Sequence, residues 1–209
     1  MRNITASLDE LAGRLQTAGL TDLAASLDSA ANTVERHIEA SLSDLTRART
    51  FKSCGMVLYV DMDGVLTDFV KQYGSVGGKE IKSGKDIDWS LTDNLEFWQD
   101  MPWKKDGKAL WKALSPFDPI ILTSPSASPH CKVGKREWVR RELGDQTRIV
   151  MDSQKWKYAS PVAVLVDDME KNIGPWTLYN GIGLLHKSTG ATLKAFRTVV
   201  DDKCKELAG

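Results

Sequence analysis

The sequence predicts an α/β protein built on an open parallel sheet, and three observations carry that prediction. Short apolar runs of strand length recur along the second part of the chain: MVLYV at 56–60, PIILTS at 119–124, RIVM at 148–151, VAVLVDD at 162–168 and, more weakly, GIGLLH at 181–186. Uninterrupted apolar runs of this kind mark strands buried on both faces, as parallel strands are. Helical patterns separate them, GKREWVRRELG closed by Gly144 being the clearest. Polar groups also gather at the carboxyl ends of the runs, namely Asp61, Thr123 with Ser124, and Asp167 with Asp168. Open α/β sheets bind ligands at that edge.

Ahead of the first run, residues 7–49 contain no proline and place apolar residues at helical spacing. Ser7 with Glu10 reads as a capping box opening a helix that carries Leu8, Leu11 and Leu15, and Gly19 ends it. A second helix, capped by Thr21 or Asp22, carries Leu23, Leu27, Ala31, Val34, Ile38, Leu42 and Leu45 in steps of three and four. The expectation is an N-terminal helical hairpin over 1–50, followed by one domain over 55–209. The stripe packs within the chain or forms a homodimer seam.

Residues 69–112 interrupt the alternation of strand and helix. They contain Gly74, Gly77, Gly78 and Gly84 and four of the seven tryptophans: Trp89, Trp98, Trp103 and Trp111. A small helical cap over the site is expected, its aromatics forming either a core or a platform for a flat ligand.

Composition narrows the function. Lys plus Arg and Asp plus Glu both number 28, so no whole-chain field draws the protein to nucleic acid or acidic membranes. Cys54, Cys131 and Cys204 lack metal or disulfide spacing, and no apolar run reaches membrane-spanning length. A soluble, cytoplasmic protein with reduced thiols is expected. His37, His130 and His186 are scattered, and Gly77–Gly78–Lys79 lacks the context of a phosphate loop.

The chemistry concentrates in DMDGVLTDF, 61–69. Two carboxylates separated by one residue at a strand end can divide a displacement into two steps, Asp61 attacking phosphorus and Asp63 serving as acid and then base. Acids so close to a phosphate require a divalent cation, for which Asp61, Asp63, Asp167 and Asp168 are the candidate ligands and magnesium the expected ion. Thr123, Ser124 and a lysine can neutralise the phosphoryl oxygens.

These residues resemble the haloacid dehalogenase superfamily, with DMDGV, ILTS, the lysine of GKREW and VDD in the order of its four motifs. The resemblance spans about 56–186 and implies a Rossmann-like sheet with a small cap. DMDGVLTDF, EFWQDMPW, ILTSPSASPHCKVGKREWV and LVDD are similar, more narrowly, to the 5'(3')-deoxyribonucleotidase family. That likeness implies Asp61 as nucleophile, Asp63 as acid and base, Gly64, Thr123, Ser124 and Lys135 at the phosphate, and Asp168 on the metal. It makes Phe69 an aromatic near a nucleobase, and Phe97, Trp98 and Trp103 in the cap are expected to join it. The implied substrate is a small phosphate ester, a nucleoside monophosphate. Two alternatives stand beside it: a polynucleotide 3'-phosphatase, and a non-enzymatic assembly protein using the hairpin. DSQKWKY departs from the family's later segment and leaves open whether Lys155 or Lys157 lies near the site.

Overall fold

The computed structural model describes residues 2–82 and 84–208, with the side chains of 2–5 and 208 excepted. The chain divides into two compact units, Met1–Thr46 and Arg47–Gly209.

The first unit holds helix α1, Arg2–Thr17, and most of α2, Thr21–Ser53. Gly19, with φ of 77°, makes the turn between them. The helix already runs through Ser7 from Arg2, so Ser7 does not open it; the capping-box reading is corrected on that point. The last turns of α2, from Arg47, belong to the second unit, where Ala48 and Phe51 enter the core.

In chain order the second unit comprises β1 Val57–Val60, α3 Phe69–Ser75, α4 Leu95–Gln99, α5 Gly107–Leu114, β2 Ile120–Thr123, α6 Pro129–Leu143, β3 Ile149–Met151, β4 Ala163–Asp167, α7 Glu170–Leu178, β5 Ile182–Leu185 and α8 Thr189–Ala208. Each of the five apolar runs becomes a strand. All pairings are parallel, in the order β3-β2-β1-β4-β5, which is a Rossmann-like arrangement.

Alternation along the strands sorts their side chains onto two faces. Leu58, Val60, Ile121, Val164 and Val166 join a large core with Phe51, Leu110, Leu114, Trp138, Phe196 and Val200. Leu122, Ala163 and Leu165 turn to the other face, where Trp176 of α7 covers them with help from Tyr59 and Tyr158.

The 69–112 segment is bound into the larger core. Phe97 and Trp98 are 1% and 2% exposed, the Trp98 indole donates to the Thr92 carbonyl (2.7 Å), and α4 lies against α6. Gly134 of α6 permits that approach, because a side chain there would run into Trp98 and the Gln99 backbone. Among the described residues no helix is long and apolar enough to cross a membrane.

Candidate functional site

The strand order reverses between β1 and β4. Chain leaving β1 builds outward through β2 and β3, then returns to build β4 and β5 on the other side, which opens a crevice at the carboxyl ends of β1 and β4. Asp61 follows β1 and Asp167 ends β4, so the fold delivers both acids to that crevice. The Asp61 amide donates to the Val166 carbonyl (2.9 Å), extending the ladder to the acid itself.

Asp61, Asp167 and Asp168 each offer a carboxylate oxygen within 4.8 Å of the others. Lys155 answers them. Its ammonium, 2% exposed, lies 2.6 Å from Asp61 Oδ1 and 2.6 Å from Asp167 Oδ2. Asp167 also accepts from Asn172 Nδ2 (2.9 and 3.0 Å) and from the Met169 amide (2.9 Å). Asp167 is therefore oriented from three sides. Asp168 is exposed and lies against Gly64, whose φ of 86° and missing side chain both matter: a Cβ at 64 would collide with the Asp168 carboxyl group.

One lysine does not balance three acids, two of which are buried. Burial pushes Asp61 up to about 7, the charges of Asp167 and Asp63 add to that rise, and Lys155 opposes it. Partial desolvation at the crevice wall, with the charge of Asp167, also raises Asp168, although its side chain still reaches solvent. Burial works against the Lys155 cation, but the attraction of Asp61 and Asp167 outweighs it and lifts this lysine above its ordinary range. A hard divalent cation fits the excess of negative oxygen donors, and Asp61, Asp167 and Asp168 are the residues that could hold it.

Asp63 stands apart from this group. Its Oδ2 is 2.5 Å from Lys135 Nζ, and its Oδ1 accepts from Thr67 Oγ1 (3.0 Å). Of the four expected metal carboxylates, Asp61, Asp167 and Asp168 are the three whose oxygens cluster, while the Asp63 side chain is held by Lys135 and Thr67. Lys135, fully buried on α6, also donates to Thr123 Oγ1 (2.8 Å) and the Ser124 carbonyl (2.9 Å), with its ammonium 5.4 Å from the Trp98 ring centroid. Thr67 is held by the turn, where Gly64 N donates to Thr67 O and Thr67 N donates to Met62 O, each at 2.8 Å.

The aromatics divide differently from the sequence expectation. Phe97 and Trp98 are core residues, and their place as pocket walls is corrected because neither ring reaches a surface. Phe69 is half-buried, stacked on Tyr73 (6.0 Å) and edge-on to Phe97 (5.6 Å). Trp103 packs on Trp138 (4.8 Å) and donates from Nε1 to Glu142 (2.8 Å). Trp89, 49% exposed, is instead the aromatic in a pocket of about 610 Å³ whose other walls include Asp93 and the Pro125–Pro129 loop after β2.

Sequence reasoning left Lys155 undecided against Lys157 and missed Asn172 and Thr67. Lys157 is exposed and pairs with Asp152 (3.5 Å). The available signal for Thr67 was its place inside DMDGVLTDF, and for Asn172 the spacing of one helical turn past Asp168. No known protein family and no curated protein matches the chain.

Proposed function

We propose that the chain is a magnesium-dependent phosphomonoesterase with the haloacid dehalogenase fold, working through a phosphorylated Asp61. The observation that carries this reading is the pair of acids two residues apart with opposite surroundings. Asp61 shares a crevice with Asp167, Asp168 and Lys155, whereas Asp63 is tethered by Lys135 and Thr67 beside it.

In the first step an Asp61 carboxylate oxygen bonds to phosphorus as the bond to the leaving oxygen breaks, and Asp63, which enters the step protonated and leaves it as the carboxylate paired with Lys135, gives that oxygen a proton. In the second, Asp63 takes a proton from water, whose oxygen bonds to phosphorus and releases inorganic phosphate from Asp61. Magnesium held by Asp61, Asp167 and Asp168 would supply positive charge for the phosphoryl oxygens. Lys155 and Lys135 add fixed cations from the chain itself, and the Thr123 hydroxyl, held by Lys135, faces the same edge.

A nucleoside monophosphate is the proposed substrate. The pocket beside Ser124 has the size of a small-molecule site, and Trp89 presents a half-exposed ring for a base to stack on. The test is phosphate release from deoxy- and ribonucleoside monophosphates, sugar phosphates and 3'-phosphorylated oligonucleotides, with magnesium or with EDTA. Nucleoside monophosphates are expected to be turned over only with magnesium, and Asp61→Asn is expected to fold normally with turnover reduced at least about a thousandfold. Activity persisting in Asp61→Asn would remove the covalent route, and preference for the oligonucleotides would turn the reading to a polynucleotide-end phosphatase.

A further inference from the structure

We propose that the first unit is a dimerisation element, in which the α2 helices of two copies of this chain pair antiparallel and α1 of each completes a four-helix bundle. The inference is independent of the phosphatase reading. It starts from what this unit fails to bury. Among its described residues the buried apolar side chains are three alanines, Ala12, Ala24 and Ala31. Leu11, Leu20, Leu23, Val34, Leu42 and Leu45 are instead 44–55% exposed. Small residues let two helices approach closely, but they bury too little apolar surface to hold a unit of this size together unaided.

The stripe has a geometry suited to a second copy. From Leu20 to Leu45 the stripe runs through positions 20, 23, 27, 31, 34, 38, 42 and 45, which include every leucine, isoleucine and valine of the span. Positions 20, 31 and 42 repeat at eleven residues, as do 23, 34 and 45. An eleven-residue repeat is about 3.67 residues per turn, so the stripe keeps nearly to one side of a straight helix. The order of steps also reads the same in both directions. Reversing one helix therefore sets Leu20 against Leu45, Leu23 against Leu42, Leu27 against Ile38, and Ala31 against Val34. Every large side chain of the stripe meets an apolar partner, and Ala31, already buried within its own copy, comes level with Val34. Asp28 comes opposite His37, and no charged residue directly faces a like charge in this register. A parallel, in-register pairing would instead set Asp28, Glu35 and Glu39 beside their own copies.

Length supplies the place for α1. At about 1.5 Å per residue α1 is about 24 Å long, while α2 from Thr21 to Thr46 is about 39 Å. From about the end of α1's span onward the structure has an open groove of about 390 Å³ lined by Val34, His37, Ile38, Ser41 and Leu42. In the antiparallel pair that groove lies alongside the partner's α1, whose counterpart here exposes Leu11. Helices of these lengths and about 10 Å wide offer roughly 600 Å² per copy, or about 1,200 Å² in the pair, the lower end for a stable interface. The arrangement is isologous and closes on itself, so it stops at two copies.

The 209-residue chain is expected to sediment as a dimer at micromolar concentration. Leu42→Glu should weaken association by about thirtyfold or more, with far-UV circular dichroism reporting whether the helices persist. A second measurement does not depend on that variant folding. With a short bis-maleimide, Leu23→Cys/Leu42→Cys is expected to give a covalent dimer above the wild-type background, while either single variant is not. A monomer at about 100 μM would overturn the proposal and leave the face for another protein. A dimer unaffected by a folded Leu42→Glu variant would place the interface elsewhere, and strong cross-linking by a single variant would replace this register with a parallel one.

Discussion

Two buried lysines stand at the same sheet edge in opposite electrostatic circumstances. Lys135 faces one carboxylate, Asp63, whose side chain is 27% exposed, and its other protons go to the Thr123 hydroxyl and the Ser124 carbonyl. Lys155 faces two carboxylates directly, with Asp168 close by, and two of those three acids are buried. The Lys135 cluster is complete: one cation, one anion and neutral acceptors. The Lys155 cluster carries more acid than base, and its deficit is the physical reason to expect a cation there. The difference teaches that ion pairs of the same kind can hold a residue in place or prepare a site for a ligand, depending on what remains unbalanced.

The strongest test of this contrast is removal of each lysine in turn. Lys155→Met should cost about 3–5 kcal/mol without added metal, because it strands buried acids, and millimolar magnesium should restore much of the loss. Lys135→Met leaves one partly solvated carboxylate and should cost less, about 1–3 kcal/mol, with little relief from magnesium. Urea denaturation of both variants with and without magnesium measures the four values. Equal losses and equal relief would erase the distinction.

The pH dependence sharpens the contrast with a smaller effect. Asp61 carries a folded pKa of about 7 against an ordinary value of 3.8. The metal-free folded state therefore binds a proton here more readily than the unfolded chain does. The resulting stabilisation is full below about 3.8 and is lost as the pH rises through about 7. Divalent cations compete for the deprotonated carboxylate, so their stabilising effect should grow across that interval. Melting temperatures with EDTA and with magnesium, from pH 5 to pH 8, should diverge as pH rises. A constant gap would mean that the cation binds without displacing a proton from this cluster.

Gly64→Ala should have the smallest effect on the fold, about 1 kcal/mol for a side chain at positive φ. It should nonetheless weaken magnesium binding roughly tenfold by displacing Asp168, without disturbing the Lys135–Asp63 pair. Calorimetric titration with magnesium would check this.

Much of the second unit was legible in the sequence because its signals are local. Continuous apolar runs specify strands buried on both faces, and the acids that end those runs lie at the sheet edge wherever parallel strands share a direction. Asp61, Asp167 and Asp168 could therefore be nominated together before any coordinates. The first unit was legible for the same reason, since a helix stripe is periodic along the chain.

Other features depended on distance through space, which local pattern does not encode. Lys155 and Lys157 have the same chemistry two residues apart; only the path of the short helical turn Lys155–Tyr158 buries one beneath Asp61 and Asp167 and leaves the other exposed with Asp152. Phe97, Trp98 and Trp89 are equally aromatic, yet the packing of α4 on α6 draws the first two into the core and leaves Trp89 at the pocket. Asp63 likewise adjoins the metal candidates in sequence, while the turn held by Thr67 and the approach of Lys135 take its carboxylate to a different cluster. The sequence by itself determined which residue types reach the sheet edge, because strand direction and periodicity are local properties. Tertiary structure alone decided which lysine meets which acid and which ring meets solvent, because those outcomes follow from long-range packing and the cost of leaving buried charge unpaired.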